Sequence, residues 1–412
     1  MERSFNIALL SIHSCPFAQL GSRDTGGMNV YIREMCRELA VQGHRIDIFT
    51  AAHRCGHCVI LRPDQGIRLC HLRSRLADNI SRTSFDTYIS SLAEEICQVQ
   101  KENSNRYDLI HSHYWQSGIL GNTLQERWRI PHLTMFHTLS AVKKVLHLPH
   151  NDPDFRLAME REAARHCTRI VASTNKEKEY LNHFYDAPGQ KIATIPCGVN
   201  LKIFQPLAQE SARDRLGLAD NEKTILYIGR LEPLKGVEQL LRAFVQIQAK
   251  CPARLLILGG DGPDSNYLSY LKEMSKDLNI HQHTAFIGSV AQTDLPLYYS
   301  AADTCVIPSY YESFCLVMLE SLACGTPVIT ANIGIADKIV NHPSLGMVLE
   351  SNHPQVIADK TIEIIRRHNK TAINIEACRA SVSAYNWADI ATKIHAEYMH
   401  LAAVPLAADI AA

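Results

Sequence analysis

The segment Glu312-Ser313-Phe314-Cys315-Leu316-Val317-Met318-Leu319-Glu320 carries two carboxylates eight positions apart with a mostly apolar run between them. A carboxylate accepts hydrogen bonds from two neighbouring hydroxyls, so this spacing suits a grip on a sugar and on a ribose. Glu312 is expected before a helix and Glu320 two turns inside it. An acid buried on an apolar helix without a partner is costly, which argues for a working role. In Gly229-Arg230-Leu231-Glu232-Pro233-Leu234-Lys235-Gly236, Arg230 and Lys235 end a strand and open a helix. A planar guanidinium fork and an ammonium point charge can hold a diphosphate from two sides. Taken alone, the stretch reads equally well as a solvated basic loop. A third candidate, Asp24-Thr25-Gly26-Gly27-Met28-Asn29-Val30-Tyr31, follows the first apolar run and opens a helix at 30–42. Glycines at a helix N-terminus let the backbone approach an anion closely, and the alternative is a tight turn. The pattern is not G-x-G-x-x-G and no acidic residue clearly closes the next strand, which argues against a dehydrogenase. His53-Arg54-Cys55-Gly56-His57-Cys58 holds a lone C-x-x-C. Without a second pair it reads as a reduced loop rather than a zinc site, and no metal site is expected.

The elements that must position these groups are legible as short apolar, β-branched runs alternating with helical patterns. Strands are expected at 6–12, 45–50, 109–113, 132–137, 169–173 and 191–196, then at 224–229, 254–259, 284–288, 304–308, 327–330 and 346–349. Uncharged runs of this kind suit parallel strands buried on both faces. Helices at 86–100, 238–249 and 354–367 fit right-handed crossovers. Turn residues cluster from Pro196 to Pro206, and place a boundary there. The fold class is α/β, with two doubly wound, Rossmann-like domains at 1–200 and 201–384. Ligands in such sheets bind at the strand C-termini, so the two domains are expected to face one another across a cleft. An amphipathic helix lies in the tail at 385–412 and is expected to return to the first domain.

Bulk composition excludes several classes. Lys+Arg and Asp+Glu are 42 each, and a net charge of zero lacks the basic footprint of non-specific nucleic-acid binding. Apolar residues make up 46% of the chain, yet no run approaches the ~18 apolar residues of a spanning helix. The charged start and the run at 5–12, broken by Asn6 and Ser11, do not read as a signal peptide. Thirteen scattered cysteines, several inside apolar runs, fit buried thiols in a reducing compartment. A cytoplasmic protein is expected, and a homo-oligomer is left open.

Together, Gly26-Gly27, His137-Thr138, Ile195-Pro196-Cys197-Gly198-Val199-Asn200, Gly229-Arg230 with Lys235, Gly259-Gly260-Asp261-Gly262-Pro263 and the paired-glutamate segment resemble the retaining glycosyltransferases of family 4, over nearly the whole chain. The resemblance implies the GT-B fold, an acceptor-binding first domain and a second domain that binds a nucleotide sugar. Gly26-Gly27-Met28-Asn29-Val30-Tyr31, His111-Ser112-His113-Tyr114-Trp115 and Phe136-His137-Thr138-Leu139 look most like the D-inositol-3-phosphate glycosyltransferases. Sucrose-phosphate synthases and sucrose synthases are similar, but typically carry Gln where Met28 stands. The match implies that Arg230 and Lys235 hold the donor diphosphate, that Gly27 approaches the donor phosphate, and that Gly26 belongs to the donor site. It also implies that Glu320 binds the ribose, that Glu312 binds the transferred sugar with the amides of Phe314, Cys315 and Leu316, and that Val290 belongs to the donor site. Cys315 stands where the family usually has glycine. Asn29, Tyr114, Thr138 and Arg156 match positions that bind the acceptor phosphate or ring, and Arg82 stands about where those enzymes have Lys.

The resemblance further implies front-face chemistry, in which the leaving phosphate takes the acceptor proton and no protein nucleophile is needed, unlike the carboxylate pair of a glycosidase. The catalytic set is then His137, Arg230, Lys235 and Glu312. The nucleotide sugar is a substrate, and neither a cofactor nor a metal is expected. The leading activity is transfer of a hexose or N-acetylhexosamine from a UDP-sugar to a small phosphorylated polyol or sugar. The alternatives are sucrose or sucrose-phosphate synthesis, and a nucleotide-sugar-binding protein without transfer activity.

Overall fold

A computed structural model describes residues 3–18, 25–51, 59–73, 81–146, 153–219, 222–260, 266–367 and 372–403. The C-x-x-C loop at 55–58, Asp24 and the motif residues 261–263 lie outside the described residues. The chain divides into two compact units, one built from 3–18, 28–196 and 388–403, the other from 25–27 and 197–387.

The first unit contains strands β1 (Asn6–Leu10), β2 (Arg45–Ala51), β3 (Val59–Asp64), β4 (Ile67–Leu72), β5 (Leu109–His113), β6 (His132–Met135), β7 (Arg169–Ala172) and β8 (Ile192–Thr194). Its helices are α1 (Gly27–Val41), α2 (Arg82–Glu102), α3 (Trp115–Trp128), α4 (Ser140–Val145), α5 (Arg156–His166) and α6 (Asn175–Tyr185). The sheet order is β3-β4-β2-β1-β5-β6-β7-β8. The pairs are parallel except β3 with β4, an edge hairpin that the strand expectations omitted. Pro63 and the exposed Ile60 and Leu61 hide β3 from a search for buried runs, and proline in a sheet belongs on such an edge.

The second unit contains β9 (Lys223–Ile228), β10 (Ala253–Leu258), β11 (Thr284–Gly288), β12 (Thr304–Ile307), β13 (Val328–Ala331) and β14 (Gly346–Leu349), all parallel in the order β11-β10-β9-β12-β13-β14. Its helices are α7 (Gln209–Leu216), α8 (Val237–Gln248), α9 (Asn266–Asp277), α10 (Leu295–Ala301), α11 (Leu316–Ala323), α12 (Ala336–Ile339), α13 (Pro354–Arg367) and α14 (Ala372–Ser381). Helix α8 buries Val237, Leu240, Leu241, Phe244 and Ile247, the one-face spacing of an amphipathic helix, in a core shared with Ile357, Ile362 and Ile365 of α13. Burying each such side chain contributes about 1.5–3 kcal/mol. Helix α15 (Trp387–Ala403) completes the described chain, and from Ala388 onward it belongs to the first unit. Among the described residues no helix is long and apolar enough to cross a membrane.

In each sheet the strand order reverses beside the first strand of the unit. The chain runs from β1 outward to β2 and then back to β5 on its other side, and likewise from β9 to β10 and back to β12. A crevice opens beyond the strand C-termini at such a switch point, and ligands settle there.

Candidate functional site

In the second unit the switch point lies between β9 and β12. Strand β9 ends into Gly229 and Arg230, and β12 ends into Ser309 and Glu312. The buried Tyr227 on β9 donates its hydroxyl to the Arg230 carbonyl at 2.9 Å and holds the loop that follows. Arg230 is half-buried and pairs with Glu232 at 2.9 Å. Lys235 sits in a short 3₁₀ turn, not in the helix that follows. Its Nζ meets Glu312 Oε1 at 2.6 Å, and Ser309 Oγ donates to the same oxygen at 3.0 Å. Gly236, at φ 68°, starts α8 where a Cβ would collide with the Pro308 carbonyl oxygen. Only glycine lets the Lys235 turn lie this close to the end of β12.

Glu312 and Glu320 flank the start of α11. Glu320 is the fifth residue of that helix, so it lies little more than one turn in, rather than two. It is buried, and Tyr299 of α10, itself fully buried, donates its hydroxyl to Oε2 at 2.9 Å. Cys315 caps α11 with φ 82° and ψ 76°. A non-glycine side chain in this left-handed region is strained by about 1–2 kcal/mol. Burial, and after it the charge of Glu312, pushes its thiol well above the usual range. Gly26 and Gly27 group with this unit. A Cβ placed on Gly26 would stand 3.6 Å from Arg230 Nε, and one on Gly27 3.6 Å from Leu316 Cδ1. Val290 lines a separate open cavity of about 720 Å³ with Lys202, Arg215, Ile287 and Leu297, which includes neither Arg230, Lys235 nor Glu312.

In the first unit the corresponding switch point lies between β1 and β5. Tyr114 follows β5 at φ 75°, and His137 follows β6 at φ 62°. Arg156 opens α5 and is almost wholly buried. It donates to the Tyr114 hydroxyl at 3.0 Å and to Thr138 Oγ1 at 2.9 Å, and its guanidinium lies 4.9 Å from the centre of the Tyr114 ring. Tyr114, Thr138 and Arg156 are therefore one cluster. Glu160, one turn along α5 and fully buried, takes Arg156 Nε at 2.7 Å. It also accepts from the Ser140 amide and hydroxyl and from Tyr185. Asn29 is buried with its amide on Ser14 Oγ and the Cys15 carbonyl, at 2.6 and 2.9 Å, and braces the loop after β1. Arg82 stands exposed at the start of α2 and pairs with Asp86 at 3.3 Å and Glu162 at 3.4 Å; none of its hydrogen bonds reaches the Arg156 cluster. His137 Nε2 lies 2.9 Å from His113 Nδ1. Burial pushes the His137 imidazole down to about 3, so it is neutral at physiological pH.

Sequence reasoning assigned no role to Tyr299 or Glu160, which hold Glu320 and Arg156. The spacing of Arg156 and Glu160 at i, i+4 on a helix was a readable signal. Tyr299, in another helix than Glu320, had none. Among the described residues no group of three or more His, Cys, Asp or Glu is gathered to hold a metal ion.

Residues 25–203 match the family described as Glycosyltransferase Family 4, and residues 208–380 the family described as Glycosyl transferases group 1. The chain is 33% identical to a D-inositol 3-phosphate glycosyltransferase of Thermobispora bispora over 96% of this chain and 95% of that one. It is 32% identical to a protein of the same name from Corynebacterium diphtheriae, over 96% and 94%. The solved sucrose-phosphate synthase of Thermosynechococcus elongatus is 29% identical and superposes with a TM-score of 0.87, covering 97% of this chain and 99% of that one.

Proposed function

We propose that this chain, which belongs to the family-4 glycosyltransferases of GT-B fold, moves a hexose or N-acetylhexosamine from a UDP-sugar to a small phosphorylated polyol or sugar, with retention at the anomeric carbon. The observation that carries the donor half is the meeting of Lys235 and Glu312 at the switch point of the second sheet, with Arg230 on the same loop. Two cations here can take up charge that develops on a departing diphosphate, in a crevice whose donors are already in place. The amide groups at the start of α11 add the positive end of a helix. As the diphosphate oxygen leaves, the sugar gains oxocarbenium character. The acceptor hydroxyl attacks from the same face and passes its proton to the leaving phosphate. His137, held neutral, orients and polarises rather than taking a proton.

The acceptor half is supported by the names of the relatives and by the Tyr114–Thr138–Arg156 cluster, whose hydroxyl and guanidinium donors suit a phosphate monoester. The reading of inositol-phosphate type leads. A sucrose-phosphate-forming activity is the second reading, favoured by the TM-score of 0.87 to a sucrose-phosphate synthase. The test is a turnover comparison of D-inositol 3-phosphate and fructose 6-phosphate with free inositol and free fructose, each with UDP-sugars. Preference for the inositol phosphate supports the leading reading, and preference for fructose 6-phosphate the second. Free fructose outrunning both phosphates overturns the phosphate pocket. Turnover is expected to survive EDTA. Complete loss restored by Mg²⁺ or Mn²⁺ would overturn the metal-free scheme.

A further inference from the structure

His111 and His113 alternate with Ile110 and Ser112 along β5, so both project from one face of the sheet. Their rings lie 4.3 Å apart at 36°, and both are fully buried. The Tyr31 ring of α1 packs against His113 and His137, with centroids at 5.7 and 5.3 Å. At the far end of the row Tyr398 of α15 meets His111 Nδ1 through its hydroxyl at 2.8 Å. A continuous row thus runs from the C-terminal helix to the candidate catalytic histidine: Tyr398, His111, His113, His137.

The bond between His113 Nδ1 and His137 Nε2 can carry its hydrogen on either ring. Burial keeps both imidazoles neutral, so each holds one N–H. If His137 donated, the hydrogen of His113 would sit on Nε2. That atom is buried and has no hydrogen-bond partner among the described residues. An N–H sealed away without an acceptor is the rarer and costlier form of an unmet polar atom. If His113 donates instead, its Nε2 is left only as an unused lone pair.

We propose that His113 is a positioning residue for His137: it donates from Nδ1 to His137 Nε2 and fixes His137 as the tautomer with its hydrogen on Nδ1, while Tyr398 braces the row through His111. His137 then presents an N–H donor of set direction, neither a base nor an imidazolium. The consequence for turnover rests on the reading that His137 faces the reacting centre; the tautomer itself does not.

The test combines imidazole ¹⁵N spectroscopy with kinetics on the full chain. In the wild type, long-range ¹H–¹⁵N spectra, with the His137 signals identified by their loss in His137→Gln, should show an unprotonated His137 Nε2. His113→Asn keeps an amide N–H near the Nδ1 position and should preserve that tautomer. His113→Phe should shift it. In turnover, His113→Phe is expected to lower kcat about ten- to a hundredfold, with both KM values within about twofold of wild type, while His113→Asn recovers most of the loss. A protonated His137 Nε2 in the wild type overturns the proposal, and that measurement stands even where the Phe variant fails to fold. A folded His113→Phe protein with wild-type kcat overturns the positioning role. If His137→Gln itself turns over normally, the reading of His137 at the reacting centre fails, and the spectra alone decide the tautomer.

Discussion

Lowering the pH from 7.5 to 5.5 should destabilise the first unit far more than a protein of ordinary histidine placement. His44, His111, His113 and His132 are each 1% exposed or less. Desolvation pushes His44 down to about 4 and His111, His132 and His137 to about 3, and holds His113 well below the usual value. Above the unfolded value near 6.5 both states are neutral and no cost arises. As the pH falls below 6.5 the unfolded chain takes up protons that the folded unit refuses, so stability is lost from there down to the folded values. One pH unit below 6.5, each histidine costs about 1.4 kcal/mol, or roughly 7 kcal/mol for these rings together. That is comparable with the whole ~5–15 kcal/mol stability of a domain. The buried Glu177 carboxyl is raised by desolvation and works the other way, but as a single group against all of these. At about 2–4 °C per kcal/mol for a unit of this size, Tm should fall by roughly 15–30 °C. The assay is circular-dichroism melting at constant ionic strength in the two buffers. His44→Gln should shallow the loss by about a fifth. A Tm that moves by less than about 3 °C would refute the claim that these rings are held neutral by burial.

Lys235→Ala and Arg230→Ala should each lower turnover by about 10²–10³ with unchanged circular dichroism, because under the proposed function each removes a donor for the charge that develops on the diphosphate; near-normal turnover in both would sink the donor assignment. Arg156→Ala should cost about 3–5 kcal/mol in urea unfolding, because it strands the buried Glu160 carboxylate without its cation. Tyr114→Phe is therefore the cleaner probe of the acceptor, and should raise the acceptor KM more than the donor KM. At Cys315, glycine should be tolerated within about 1 kcal/mol, since relief of the left-handed strain offsets lost burial and chain entropy. Valine there should cost about 2 kcal/mol or more, because a β-branched side chain fits φ 82° poorly; equal melting of the two variants would contradict the strain.

The parts of this protein that depend on local chemistry were determined by the residues themselves. Most central strands announce themselves as uncharged runs, because a strand buried on both faces can carry little else. Arg230, Lys235, Glu312 and Glu320 were legible as candidates from type and spacing, and Arg156 from the family resemblance, while its partner Glu160 went unread. The edge hairpin β3–β4 was not legible, since Pro63, Ile60 and Leu61 follow the needs of an exposed edge and not of a core. What those side chains touch was decided by the tertiary structure. Tyr299 reaches Glu320 across 21 residues, His113 reaches His137 across 24, and His44 reaches His395 across 351. Each of these contacts depends on which strands become neighbours, in what register, and on which face a returning helix lands. Those outcomes come from burying whole faces together, and no window of sequence contains them. The same holds for the two switch points: the runs that form β1, β5, β9 and β12 are written in the chain, but the crevices beside them exist only once the strand order reverses.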